Sequence, residues 1–377
     1  MNKKYLLAPG PVQIPSEVLL EMAKPIIHHR TEEFEAVFAN VQVLLKELFQ
    51  TTEPVLTFAS SGTGAMEAAI VNTHNRNDRV LVVINGKFSE RMGLIAETYG
   101  LQAELIELEP GEAIDPVIIE KFLQENPHTK SVMVEYSETS TGTMNNIEKI
   151  AEIVSKTEAI LIVDAITALG VVPVPCDKWK LDVVIGGSQK SLMLPPGLSF
   201  LWLSKKAWKR AEISNIPKFY FDIREELTAL KKNTTAWTPA ISLIQGLSVS
   251  LNMMKSFGWD NLFKKNQLLM QSVHAGIKAL NLELFSANPS VSVTAVKVPE
   301  GLDGEKLVEI LKNVYGVTIA GGQSELKGKI IRIGTLGYID SSDILVFFGA
   351  LEGALKKMGY SFEWGISLAA AERVLYE

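Results

Sequence analysis

Apolar runs at 79–84, 130–135, 159–164, 183–185 and 198–203 alternate with stretches of helical periodicity, and that alternation leaves few architectures open. The runs are rich in Val, Ile and Leu without polar alternates, as strands covered on both faces are. Helix-like stretches at 64–72, 89–99, 116–125 and 146–156 lie between several of them. The expected fold class is therefore α/β, a mainly parallel sheet covered by helices. Ligands of such sheets sit beyond the carboxyl ends of the strands. Asp164, Lys190 and the loops after Ile84 and Glu135 should then face one crevice, although they lie far apart in sequence.

The pattern changes near Lys255. A helix at 259–280, a strand at 290–298, a helix at 304–312, a strand at 329–334 and a helix at 341–358 predict a smaller α+β domain packed on the first. A chain of 377 residues is long enough for two cores. The division expected is a large domain over 15–255 and a small C-terminal domain over 256–377.

Composition excludes several classes of function. The formal charge is −6 with no block of like charges, which argues against a nucleic-acid surface. One cysteine, Cys176, rules out a disulfide framework and Cys-rich metal clusters. His28 and His29 are adjacent, so their side chains diverge, and His74 and His128 stand alone; no metal is expected. Pro9, Gly10 and Pro11 interrupt the first apolar run, so no secretory leader is predicted. No apolar stretch approaches the roughly 20 residues that span a bilayer. A cytoplasmic protein without membrane contact is expected.

Three features carry chemistry. Lys190 stands between the apolar run at 183–185 with its small residues Gly186, Gly187 and Ser188 and the turn Pro195-Pro196-Gly197. In a poorly hydrated pocket a lysine loses its proton readily and attacks carbonyls, whereas in isolation it reads as a surface residue of a βα loop. Asp164 ends the run Ile160-Leu161-Ile162-Val163, so its carboxylate emerges at the top of a buried strand. It is either the N-cap of the following 165–169 segment or the partner of a protonated aromatic nitrogen. Ser61-Gly62-Thr63, between an apolar segment and a helix start, offers N–H groups and hydroxyls to an anion, or serves as plain capping. A phosphate anchor, a carboxylate and a lysine together suit pyridoxal phosphate, which needs a Schiff-base lysine, an acid at its ring nitrogen and a phosphate cup.

These residues resemble the class V aminotransferases of the fold type I pyridoxal-phosphate enzymes, specifically the alanine:glyoxylate and serine:pyruvate branch. The opening Leu6-Leu7-Ala8-Pro9-Gly10-Pro11, Asn85-Gly86-Lys87-Phe88, Glu138-Thr139-Ser140-Thr141-Gly142, Gly187-Ser188-Gln189-Lys190, Thr238-Pro239 and Ile331-Arg332-Ile333-Gly334 occur in the family's order, across nearly the whole chain.

The resemblance implies a seven-stranded-type sheet and a homodimer with active sites at the subunit interface, the arm at 1–14 crossing toward the partner. Lys190 would be the Schiff-base lysine and proton shuttle, with Asp164 at the pyridine nitrogen. Ser61, Gly62 and Thr63 would hold the phosphate with Gln189 and with Thr238 from the neighbouring subunit. Phe88, Thr139 and Ile166 would contact the cofactor, Arg332 the substrate carboxylate, and Gly10 the substrate itself. Relatives carry His at the Thr63 position, Trp at the Phe88 position, often Ser at Thr139 and often Tyr at Thr235, so the phosphate cup of this chain differs. His29 and Arg30 receive no role.

The reaction implied is transfer of the amino group of a small amino acid, serine or alanine, to glyoxylate or pyruvate. The alternatives are an aspartate-type aminotransferase or a cysteine desulfurase or lyase of the same fold. The latter uses a mobile cysteine and usually a histidine before the lysine, a place held here by Gln189. A non-catalytic hydrogenase-associated subunit would need a metal or flavin site, and a dinucleotide oxidoreductase lacks its glycine fingerprint here.

Overall fold

The apolar runs assemble side by side. The computed structural model describes residues 3–377, so the first two residues of the expected arm lie outside the described residues. Its central sheet contains β1 (Val55–Phe58), β2 (Arg79–Ile84), β3 (Gln102–Glu107), β4 (Ser131–Glu135), β5 (Ile160–Asp164), β6 (Val183–Gly187) and β7 (Ser199–Leu203). The order of these seven strands is β1-β7-β6-β5-β4-β2-β3. Only β7 runs antiparallel to its neighbours β1 and β6; the other pairs are parallel.

Successive residues of β5 feed opposite layers. Leu161 and Val163 enter one core, Ile160 and Ile162 the other. This double burial is why the strand carries no polar alternate. Each such side chain contributes about 1.5–3 kcal/mol on removal from water. Helix α1 (Gly62–Thr73) lays Ala65, Met66, Ala68, Ala69 and Ile70 on the Ile162 layer, its alanines permitting close approach. Helix α2 (Lys87–Thr98) follows β2, α3 (Pro116–Glu125) precedes β4, and α4 (Ile147–Val154) precedes β5.

Helices α5 (Ile241–Phe257) and α6 (Trp259–Ala279) would be continuous but for Gly258, whose φ of +93° breaks the helix and disfavours any side chain. The break separates allegiances. Ile244, Leu247 and Leu251 of α5 belong to the large core, whereas Leu269, Val273 and Ile277 of α6 join a third core with residues of the C-terminal part. That core covers an antiparallel sheet of β8 (Val293–Lys297), β9 (Ala320–Gly321) and β10 (Ile330–Gly334), in the order β8-β10-β9, and includes α7 (Ser341–Lys357).

The N-terminal arm attaches here too. Tyr5–Leu6 pairs in parallel with Val317–Thr318, Leu7 is buried in the third core, and the Gly334 N–H donates to Leu7 O at 2.7 Å. Among the described residues no helix is long and apolar enough to cross a membrane.

Two glycines calibrate the packing of the C-terminal part. A Cβ on Gly276 in α6 would lie 2.2 Å from Cζ of the fully buried Phe348 on α7, whereas a Cβ on Gly349 would meet nothing within 4 Å. Gly276→Ala should therefore lose a net of about 1–2 kcal/mol, overpacking outweighing the gain in helix propensity. Gly349→Ala should gain up to about 1 kcal/mol. Urea unfolding midpoints check both, and a stabilised Gly276→Ala would contradict this packing.

Candidate active site

Beyond the carboxyl ends of β4, β5 and β6 lies a cavity of about 380 Å³, within the size range of small-molecule sites. Gly10, Ser61, Gly62, Thr63, Phe88, Thr139, Asp164, Ile166, Gln189 and Lys190 all line it. The crevice expected from the strand pattern is thus one space, reached from the arm, α1, α2 and the ends of three strands.

At one end of it lies the start of α1, which could take an anion. Ser61 is the N-cap, yet its hydroxyl makes no capping bond, and the first turn holds no acidic residue. The leading N–H groups and the positive end of the dipole are left for a ligand. A Cβ on Gly62 would sit 2.2 Å from Ile166 Cδ1, so a side chain at this helix start would have to displace that of Ile166. Gln189 leaves a buried Oε1 with no partner among the described residues, and Phe88 and Ile166 add apolar surface. A flat ring bearing an anionic tail fits this set of groups.

Lys190 Nζ donates to Pro9 O at 2.6 Å, and a Cβ on Gly10 would lie 2.6 Å from the same nitrogen. Burial lowers the lysine from its usual range to about 8, against the pull of Glu135 and Asp164. Asp164 is 1% exposed, and burial raises its carboxyl group. Its Oδ1 accepts the Ile166 N–H at 2.8 Å. The carboxylate therefore caps the turn that follows and also borders the cavity; the segment 165–169 that it caps forms turns rather than a helix.

Arg332 and Thr238 do not line the cavity. Arg332, on β10, is 5% exposed and donates Nη1 to Thr139 O at 2.7 Å and Nε to Gly321 O at 2.8 Å. It is tied to the site through Thr139. Thr238 is exposed beside Thr235, Trp237 and Tyr220, outside the lining of this cavity.

Sequence reasoning missed Pro11, Met66, Arg91, Thr167 and Pro196 in the lining. Arg91 was signalled by its spacing, one helical turn after Phe88. Its guanidinium lies 5.2 Å from the Phe88 ring centroid and donates to Thr63 Oγ1 at 3.2 Å, with no carboxylate partner among the described residues. Cys176 lies elsewhere, fully buried, its thiol pushed up by desolvation. Among the described residues no group of three or more His, Cys, Asp and Glu side chains is placed to hold a metal ion.

The family model described as Aminotransferase class-V matches residues 4–345. The chain is 42% identical over 381 residues to a protein of Synechococcus sp. (strain PCC 6716) named as the small subunit of a soluble hydrogenase, with 99% of each chain covered. It is 31% identical to the L-aspartate–glyoxylate aminotransferase of Paracoccus denitrificans (strain Pd 1222), covering 98% of this chain and 96% of that one. Among solved structures, the ureidoglycine–glyoxylate aminotransferase of Bacillus subtilis superposes with a TM-score of 0.94 at 29% identity, covering 100% of this chain and 99% of that one. A family match over most of the chain, on a sheet and cavity of this kind, makes the chain a member of the class V aminotransferases, a pyridoxal 5′-phosphate-dependent transaminase of fold type I.

Proposed function

We propose that the enzyme moves the amino group of a small amino acid, serine or alanine, to a small 2-oxo acid, glyoxylate or pyruvate. The observation that carries this reading is the Lys190 amine set between Gly10 and Asp164 in a cavity crowded by the arm. Glyoxylate is also part of the names of the Paracoccus and Bacillus relatives.

Bound here, pyridoxal phosphate supplies an aldehyde for amines and a protonated ring that withdraws electrons from the substrate Cα. Ser61, Gly62, Thr63 and Gln189 hold its phosphate, with Thr238 contributed by the second subunit of a homodimer. Phe88, Ile166 and Thr139 position the ring, and Asp164 holds the proton on the ring nitrogen. Arg332 binds the α-carboxylate through Nη2, which makes no hydrogen bond among the described residues while Nε and Nη1 hold carbonyls. Gly10 restricts the substrate side chain.

Lys190 anchors the cofactor and, once released, takes the proton from the donor Cα. An amine near pH 8 has an appreciable neutral fraction at physiological pH, as a base must. The donor leaves as a 2-oxo acid before the acceptor enters, so ping-pong kinetics follow. The division at residues 255 and 256 gives the cofactor to the large domain and Arg332 to the small one.

One observation favours a second reading, an aspartate donor. Arg91 borders the cavity without a carboxylate partner among the described residues, and the Paracoccus relative is named for aspartate.

Lys190→Ala should lose the lysine-dependent visible absorbance of the bound cofactor and about 10⁴-fold or more in turnover; normal turnover in this variant would defeat the assignment. A donor panel with the purified holoenzyme separates the two substrate readings. Serine or alanine should exceed aspartate in kcat/KM by at least about tenfold. If aspartate leads instead, and Arg91→Leu raises its KM about tenfold while sparing serine, the second reading holds.

A further inference from the structure

The carboxylate at the cavity has a companion that the reaction leaves without a role. Glu135 ends β4 as Asp164 ends β5, and the two are Cα partners across the parallel ladder. Their side chains therefore rise on the same face, that of Met133 and Ile162. They are 3% and 1% exposed. Desolvation, with the charge of Asp164 beside it, holds the Glu135 carboxyl group well above its usual range, so two carboxyl groups on paired strands in so dry a place share one proton.

The surroundings decide which. Asp164 has the Ile166 N–H on Oδ1 and borders the cavity. Glu135 lies behind it and does not line the cavity; its Oε2 is buried with no partner, and no N–H group is seen donating to its side chain among the described residues. The charged groups that face Glu135 are Asp164 from β5, Glu138 from the loop after β4 and Lys190 from the loop after β6. Glu138 is already furnished as an anion, accepting the N–H groups of Phe88 and Ser89 at 3.0 Å and that of Ser140 at 3.0 Å. Two carboxylates against one amine, in a place without donors, hold the proton on Glu135.

We propose that Glu135 is a positioning residue for Asp164: as a neutral carboxylic acid it donates its O–H to the Asp164 carboxylate, so the pair bears one negative charge, on the member that faces the cavity. Its effect on the cofactor rests on the reading of Asp164 as the partner of the ring nitrogen. The donated hydrogen bond fixes the carboxylate's rotamer and keeps it ionised when the cavity is empty. Without it, Asp164 competes for a proton of its own.

Glu135→Gln keeps a donor and cannot ionise, whereas Glu135→Leu removes the donor. A carboxyl group whose folded value is raised stabilises the fold fully below its unfolded value and loses that contribution as pH rises toward the folded value. Glutamine loses nothing. In the cofactor-free protein, the melting temperature of Glu135→Gln relative to wild type should therefore climb with pH between 5.5 and 8, by roughly 2 °C per pH unit. A constant gap would overturn the proposal. Titration of the apoproteins with pyridoxal phosphate supplies a second readout. The ratio of the Kd of Glu135→Leu to that of wild type should grow several-fold from pH 8 to pH 6, while the ratio for Glu135→Gln stays flat; equal behaviour of the two variants would reduce Glu135 to packing. If Glu135→Leu does not fold, the melting gap alone decides. Asp164→Asn separates the two ideas. Retained cofactor affinity in that variant alongside a growing melting gap would sink the ring-nitrogen reading and leave the carboxyl pair standing, and lost affinity with a constant gap would do the reverse.

Discussion

Burial of an amine and several carboxyl groups at one end of an apolar sheet is the constraint around which the rest of the site is arranged. Such groups are costly out of water unless each finds a partner. Lys190 has Pro9 O, Asp164 has the Ile166 N–H, and Glu138 has the most complete set. One oxygen of Glu138 accepts from Phe88 N, Ser89 N and Ser89 Oγ, the other from Ser140 N and Ser140 Oγ. A Cβ on Gly86 would fall 2.3 Å from Ser140 Oγ and 2.4 Å from Glu138 Cγ. The Asn85-Gly86-Lys87-Phe88 and Glu138-Thr139-Ser140 segments are therefore one unit, welded through a single carboxylate. Phe88 is held where it is because the turn before it has nowhere else to go.

The C-terminal part reaches the same place through main-chain oxygens. Arg332 holds Thr139 O, and Gly334 holds Leu7 O, two residues before the carbonyl that accepts from Lys190. A Cβ on Gly334 would lie 2.6 Å from Ala8 O, so the arm is laid against β10 with no room to spare. Any displacement of β10 therefore moves the arm and Thr139 together. On the proposed reading of Arg332 as the residue that binds the substrate carboxylate, this coupling is a physical route from it to the lysine.

Much of this was legible in the residues. Strands buried on both faces cannot hide, and β2, β4, β5, β6 and β7 all lie within the apolar runs, apart from the terminal Gly186 and Gly187 of β6. Strand β3 was not foreseen, because at the sheet's edge Gln102, Glu104 and Glu107 face solvent and the run carries no continuous apolar signal. The two readings of Asp164 were not rivals, since one oxygen caps the next turn while the group still borders the cavity. Glu135 displayed the same signal as Asp164, an ionisable residue closing an apolar run. What the sequence could not reveal was that the two strands are neighbours in register, for β4 and β5 are joined through a helix and the pairing is a property of the sheet. Arg91 was missed for a related reason, as its spacing one turn after Phe88 gains weight only once the cavity beneath that helix is known.

Charge completes the argument. With Glu135 neutral, the fixed charges about the cavity are Lys190, Arg332 and Arg91 against Asp164 and Glu138, an excess of positive charge even before the end of the α1 dipole is added. A protein whose overall charge is −6 thus keeps a cationic hollow at the end of its sheet. Low-dielectric walls focus such a field on anions that enter, which suits both a phosphorylated cofactor and carboxylate substrates. Were Glu135 ionised as well, the excess would shrink to nothing, and the carboxylate facing the cavity would be set against its own neighbour. The neutral member of the pair is what lets one aspartate act as an anion without cancelling the attraction that brings anions in.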